Sequence, residues 1–157
     1  MFILARAVTY STLFVGFVLV FAPSRVLSAS GVVPPAVIGL PQAAGILVGA
    51  AGTAVAVSCI VAFVLVGKGT PAPFDPPRRL VVRGPYRFVR NPMYIGAGLA
   101  MLGAALFYQS VALLGYIAVF FLLTHLLVAW YEEPTLRRTF GNAYEAYCER
   151  VGRWCRG

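Results

Sequence analysis

Residues 43–66 and 111–131 contain no Lys, Arg, Asp or Glu, and these two runs constrain the fold more than any other feature of the chain. A helix rises about 1.5 Å per residue, so roughly 20 apolar residues cross the hydrocarbon core of a bilayer. Two further apolar runs cover residues 2–22, interrupted by Arg6, and residues 93–108. The 157-residue chain is 60% hydrophobic with a mean hydropathy of +0.82, which exceeds the apolar share of soluble domains. The expected fold is therefore an all-α, polytopic membrane protein: one domain with about four transmembrane helices.

Only Gln109 and Ser110 separate the last two runs, so these must form a tight antiparallel hairpin. The third helix is short, about 24 Å, and such a helix tilts little, thins the bilayer or rests against protein. Gly45 and Gly49 have the spacing that lets helix backbones approach closely in lipid. Between the first two runs, Pro23, Gly31, Pro34, Pro35, Gly39 and Pro41 interrupt helical hydrogen bonding. That segment reads as a loop with at most a short interfacial piece. A signal peptide, cleaved near Ser28, Ala29 and Ser30, is the competing reading of the first run.

Two polar segments remain. Residues 67–92 carry six prolines and Lys68, Arg78, Arg79, Arg83, Arg87 and Arg90 against the single Asp75. Residues 132–157 hold four of the five acids and five arginines, with Leu136, Phe140, Tyr144, Tyr147 and Val151 recurring at helical spacing. The tail is thus expected as an amphipathic helical segment at the membrane surface. Basic residues at the ends of spans stay on the cytoplasmic side, which puts the 67–92 loop, the tail and both termini inside and leaves Arg25 outside. The net charge of +8 is explained by this topology without nucleic acid. Richness in Arg, Ala, Gly and Val suggests a GC-rich bacterial genome, hence a bacterial inner membrane. Cys59, Cys148, Cys155 and the lone His125 lack ligand spacing, so neither a disulfide framework nor a metal site is implied.

The polar segments read Gly84-Pro85-Tyr86-Arg87-Phe88-Val89-Arg90-Asn91-Pro92-Met93-Tyr94-Ile95-Gly96-Ala97-Gly98, and Tyr131-Glu132-Glu133-Pro134-Thr135-Leu136 followed by Phe140-Gly141, Tyr144, Tyr147 and Val151-Gly152-Arg153-Trp154. Together they resemble the signature of membrane methyltransferases that include the isoprenylcysteine carboxyl methyltransferases and the phospholipid N-methyltransferases. The resemblance covers residues 83–154. It implies S-adenosylmethionine bound between the last spans and the tail, and a lipid or prenyl-type acceptor entering from the bilayer. Asn91 stands where prenylcysteine enzymes show His, and Gly152 where bacterial relatives often show Pro.

Such a cofactor needs a cation for its carboxylate, carboxylates for its ammonium and ribose hydroxyls, close backbone approach, and aromatic walls. Arg90, with Arg87 beside it, has the guanidinium geometry to fork onto a carboxylate; a topology anchor is the plainer reading of both. Pro92 suits the first helical turn with Asn91 as N-cap, and free N–H groups there favour an anionic group. Gly96 and Gly98 resemble a Gly-x-Gly cofactor element, but Gly96, Ala100, Gly103 and Ala104 also form a small-residue packing stripe. Glu132 and Glu133 end an apolar span, where carboxylates are costly unless exposed, paired or functional; Arg137 and Arg138 are ordinary helical partners for them. Tyr94, Tyr144 and Tyr147 can wall the adenine or the sulfonium, or serve as interfacial anchors. The candidate catalytic set is Arg90, Asn91 and Glu133. The cofactor set adds Tyr86, Arg87, Pro92, Tyr94, Gly96, Gly98, Glu132 and Tyr144. His125 lies nearly two turns before Glu132 on the same helical stripe, as a cavity-lining group, a proton acceptor or a plain interhelical hydrogen bonder. The rival readings are a non-catalytic membrane binding or packing protein and, last, an enzyme akin to sterol reductases, which normally have a larger bundle.

Overall fold

The computed structural model describes residues 9, 12–13, 15–67 and 79–155. Every element among them is helical. About half of the expected first span (residues 2–8, 10, 11 and 14), and residues 68–78 of the basic loop, lie outside the described residues. Wide π-type turns over Val15–Phe21 run directly into helix α1, Ala22–Ala29. Helical turns precede Pro23 without a break, so its missing N–H deprives a carbonyl of those turns of a backbone partner. The Val18 carbonyl, five residues back, accepts the Tyr116 hydroxyl at 2.9 Å, and the helix continues past the proline expected to end it.

Helix α2, Leu40–Ala62, extends through π-type turns to Gly67. Its start is fixed by Gln42, whose Oε1 accepts the Gly39 N–H at 3.1 Å while Nε2 donates to the Phe107 carbonyl at 3.2 Å. That second bond ties the start of α2 to the end of α3, Pro92–Tyr108. The two helices run antiparallel in backbone contact. A Cβ on Gly52 would lie 2.4 Å from Ala100 N, and one on Gly103 would lie 2.5 Å from the Gly49 backbone. Only glycine at such positions permits so short an interaxial distance.

Gln109 adopts a left-handed conformation (φ 49°) that ends α3, and Ser110 Oγ accepts the Leu113 N–H at 3.3 Å to begin α4, Val111–Leu127. The two-residue hairpin therefore forms where the sequence places it. Helix α4 passes without a break through π-type turns, Val128–Glu132, into α5, Glu133–Phe140. The tail is not one helix. Gly141 (φ 50°) separates α5 from α6, Asn142–Arg150, and residues 151–155 form a non-helical strap.

Leu40–Gly67 and Val111–Phe140 are long and apolar enough to cross a membrane, with mean hydropathies of 2.3 and 2.4 over their most apolar stretches; Gly16–Ala29 and Pro92–Tyr108 are apolar but shorter. Neither long helix is a core helix of a soluble fold. Ile46, Leu47, Val57 and Leu65 on one, and Val111, Val119, Leu122 and Leu123 on the other, are exposed, and an apolar surface of this extent requires a nonaqueous surrounding.

Candidate active site

The chemistry-bearing residues converge where α3 begins and the α4–α5 helix leaves its apolar stretch. Glu133 is the centre. Only 7% of its side chain is exposed, and its carboxylate accepts two parallel hydrogen bonds from Arg153, Nε to Oε1 and Nη2 to Oε2, both 2.8 Å. Arg90 Nη1 reaches the same Oε1 at 3.2 Å. A carboxylate so deeply placed is tolerated because the guanidinium fork matches both oxygens. The hydrogen bonds from Arg153 also raise its own guanidinium pKa.

Arg90 is held at both ends. Its backbone N–H donates to the Gly152 carbonyl at 2.9 Å and Nη1 donates to Cys148 Sγ at 2.7 Å. Its Nε is buried with no hydrogen-bond partner among the described residues. Asn91 occupies the N-cap position of α3, yet its side chain caps nothing. Nδ2 instead donates to the Arg153 carbonyl at 3.3 Å, so the expected cap is replaced by a tether to the strap. Pro92 takes the first turn of α3 as anticipated.

One turn further along α3, the Tyr94 hydroxyl donates to Glu132 Oε1. The Tyr94 ring is buried against Phe120, with the Trp154 ring 6.5 Å away. Tyr144 is buried beside Tyr147, near Cys148, Arg90 and Glu133, and burial pushes its phenol pKa up, with the Glu133 charge adding to the shift. Tyr147 donates its hydroxyl to the Tyr86 carbonyl at 2.7 Å, binding α6 to the 3₁₀ turn Gly84–Arg87.

Other candidate residues lie elsewhere. Tyr86 is buried against α2, in a cluster with Cys59 and Val81 and edge-on to Phe63, rather than beside Glu133. Arg87 is exposed. Gly96 faces the α2 backbone, where a Cβ would lie 2.8 Å from Ala56 N, and a Cβ on Gly98 would lie 2.3 Å from the Phe121 ring. Arg137 pairs with Glu145 at 2.8 Å, not with Glu132 or Glu133. Arg153 and Trp154 were visible only as part of the closing Val-Gly-Arg-Trp motif, yet they seal the site. Trp154 packs on Phe121 and Tyr94 and donates Nε1–H to His125 Nδ1 at 3.1 Å.

A family model described as phospholipid methyltransferase matches residues 40–143, about two thirds of the chain and the whole stretch from α2 to the start of α6. The chain belongs to the phospholipid methyltransferase family. Searches of curated proteins and of solved structures returned no match. Within this family member the matched stretch supplies Arg90, Tyr94, Glu132 and Glu133, while the strap that pairs with them lies beyond it.

Proposed function

We propose that this methyltransferase transfers a methyl group from S-adenosylmethionine to a lipid-like or isoprenoid-linked acceptor at the cytoplasmic face of a membrane that it crosses about four times. The observation that carries the reading is the Glu133–Arg153–Arg90 cluster with the Tyr94–Glu132 pair beside it. Two carboxylates, two guanidinium groups and an aromatic wall match the donor and acceptor groups of an amino-acid-bearing nucleoside cofactor. The partnerless buried Nε of Arg90 supports the fit, because buried donors are ordinarily paired and a carboxylate would satisfy this one.

The bound cofactor supplies an electrophilic methyl on a sulfonium, so the protein contributes alignment and exclusion of water rather than the hard chemistry. Arg90 is the residue for the cofactor carboxylate, with Glu132 and Glu133 for its ammonium and hydroxyl groups. Asn91 holds the strap in place over them. Tyr94, Tyr144 and Trp154 form the walls that keep the site dry. An acceptor carboxylate would need no base, whereas a protonated headgroup amine must first lose a proton, for which Glu132 is the nearer carboxylate to the Trp154–Tyr94 wall. The charge asymmetry of the chain favours both termini inside, and its richness in Arg, Ala, Gly and Val favours a bacterial inner membrane.

Calorimetric titration of the detergent-purified protein with S-adenosylmethionine tests the reading. Binding that weakens in Glu132→Ala and Glu133→Ala is expected; no heat from a folded sample would overturn it. Methyl incorporation into phosphatidylethanolamine vesicles, compared with a farnesylcysteine analogue, then separates the two acceptor classes.

A further inference from the structure

We infer that His125, held by Trp154, is an acceptor-binding residue that presents its Nε2–H to an oxygen of the lipid acceptor's head. The inference rests on the methyltransferase reading and specifies which face of the site receives the acceptor.

His125 is the one histidine of the chain. Its Nδ1 accepts the Trp154 indole N–H at 3.1 Å, and an indole nitrogen can only donate. Nδ1 therefore carries no proton, and the ring N–H belongs to Nε2. That nitrogen has no hydrogen-bond partner among the described residues, and the residue is exposed on α4. The ring is nonetheless not free to turn, because Trp154 is itself packed on Phe121 at 6.3 Å and on Tyr94 at 6.5 Å. Tyr94 in turn holds Glu132. A continuous wall thus runs from the carboxylates of the candidate site, through Tyr94 and Trp154, to a fixed donor on the outer surface.

The depth of that donor identifies its partner. Trp130 and Tyr131 are 77% and 46% exposed, as aromatic residues at a membrane–water interface are. His125 lies five residues earlier than Trp130, about 7.5 Å deeper along the helix, just inside the headgroup layer. An exposed donor there is unfavourable unless an oxygen meets it. Phosphodiester, ester and carboxylate oxygens of an amphiphilic acceptor all occupy that level. A structural tether for the strap accounts for the Nδ1 bond but leaves the outward Nε2–H unused.

The test combines kinetics with a spectroscopic signature. His125→Leu removes donor and acceptor together; His125→Gln keeps an amide that can accept from Trp154 and still donate. The Michaelis constant for the acceptor should rise about threefold to tenfold in His125→Leu, the range of one hydrogen bond. Affinity for S-adenosylmethionine should stay within about twofold of wild type on the same scale, and His125→Gln should recover most of the loss. A loss confined to phosphatidylethanolamine assigns the oxygen to the phosphodiester or ester; one confined to farnesylcysteine assigns it to the carboxylate. Nitrogen-15 spectra of histidine-labelled protein should show the Nε2–H tautomer, relaxing toward a mixture in Trp154→Phe. An unchanged acceptor constant in His125→Leu, a parallel loss of cofactor affinity, or an Nδ1–H tautomer overturns the inference while leaving the methyltransferase reading intact. Failure of wild-type protein to bind S-adenosylmethionine overturns both.

Discussion

Removing the Glu133 carboxylate should destabilise the protein well before any effect on catalysis is considered. In Glu133→Ala, Arg153 loses two bonds of 2.8 Å and Arg90 loses its ion pair at 3.2 Å. Breaking a fully buried pair by deleting one partner costs about 3–5 kcal/mol, because the remaining charge is stranded. The two cations here are not equally stranded. The Arg153 side chain is 31% exposed, so water replaces part of what it loses, whereas Arg90 is only 13% exposed. Discounting Arg153 for this screening leaves about 2–4 kcal/mol. For a chain of this size that corresponds to a fall of roughly 5–15 °C in the unfolding midpoint, measurable by a thiol-reactive dye or by size-exclusion survival in detergent. Glu133→Gln retains one of two acceptor oxygens and should fall about midway. Arg153→Met leaves Arg90 to neutralise Glu133 and should lose only about 1–2 kcal/mol. The double variant should then show a coupling of about 1–3 kcal/mol between the two positions. A loss below about 1 kcal/mol in Glu133→Ala, or a coupling indistinguishable from zero, would refute the claim that this cluster closes the tail onto the bundle.

Three other outcomes are expected from the same geometry. Gly52→Ala places a methyl 2.4 Å from the Ala100 backbone and should cost about 1–3 kcal/mol by forcing α2 from α3; Gly49→Ala, whose nearest contacts are 3.7 and 3.8 Å, should stay within about 0.5 kcal/mol of wild type in the same thermal assay. Tyr147→Phe strands the Tyr86 carbonyl that its hydroxyl satisfies at 2.7 Å, and should lose about 1–3 kcal/mol with faster hydrogen exchange across Gly84–Arg87. An impermeant maleimide should label exposed Cys155 in inverted vesicles but not in right-side-out ones, while fully buried Cys59 stays unlabelled in both; the reverse sidedness would overturn the proposed topology.

Features of this chain are legible in its sequence to the extent that they are local. The α3–α4 hairpin was readable because apolar runs and a two-residue interruption are local signals, and Ser110 is a good N-cap wherever the chain goes afterwards. The glutamate pair was readable because carboxylates at the end of an apolar run demand an explanation. Its partner was not. Arg137 lies within one turn of Glu133, but the fork comes from Arg153, twenty residues away, on a strap whose path is set by Arg90 and Asn91 hydrogen-bonding to the Gly152 and Arg153 carbonyls. His125 and Glu132, placed on one helical stripe by their spacing, reach the two ends of one aromatic wall: His125 accepts from Trp154 and Glu132 from Tyr94, with the two rings 6.5 Å apart.

Gly96 and Gly98 show the limit of spacing most clearly. Residues two apart on a helix differ by about 200° in direction, so one ligand cannot rest against both glycines on the same face. Gly96 admits the α2 backbone and Gly98 admits the Phe121 ring from α4, on nearly opposite sides of α3. The Gly-x-Gly pattern in this chain therefore lets one short helix be gripped between two long ones. That grip fixes the start of α3, and with it Arg90, Asn91 and Tyr94, against the carboxylates of the α4–α5 helix.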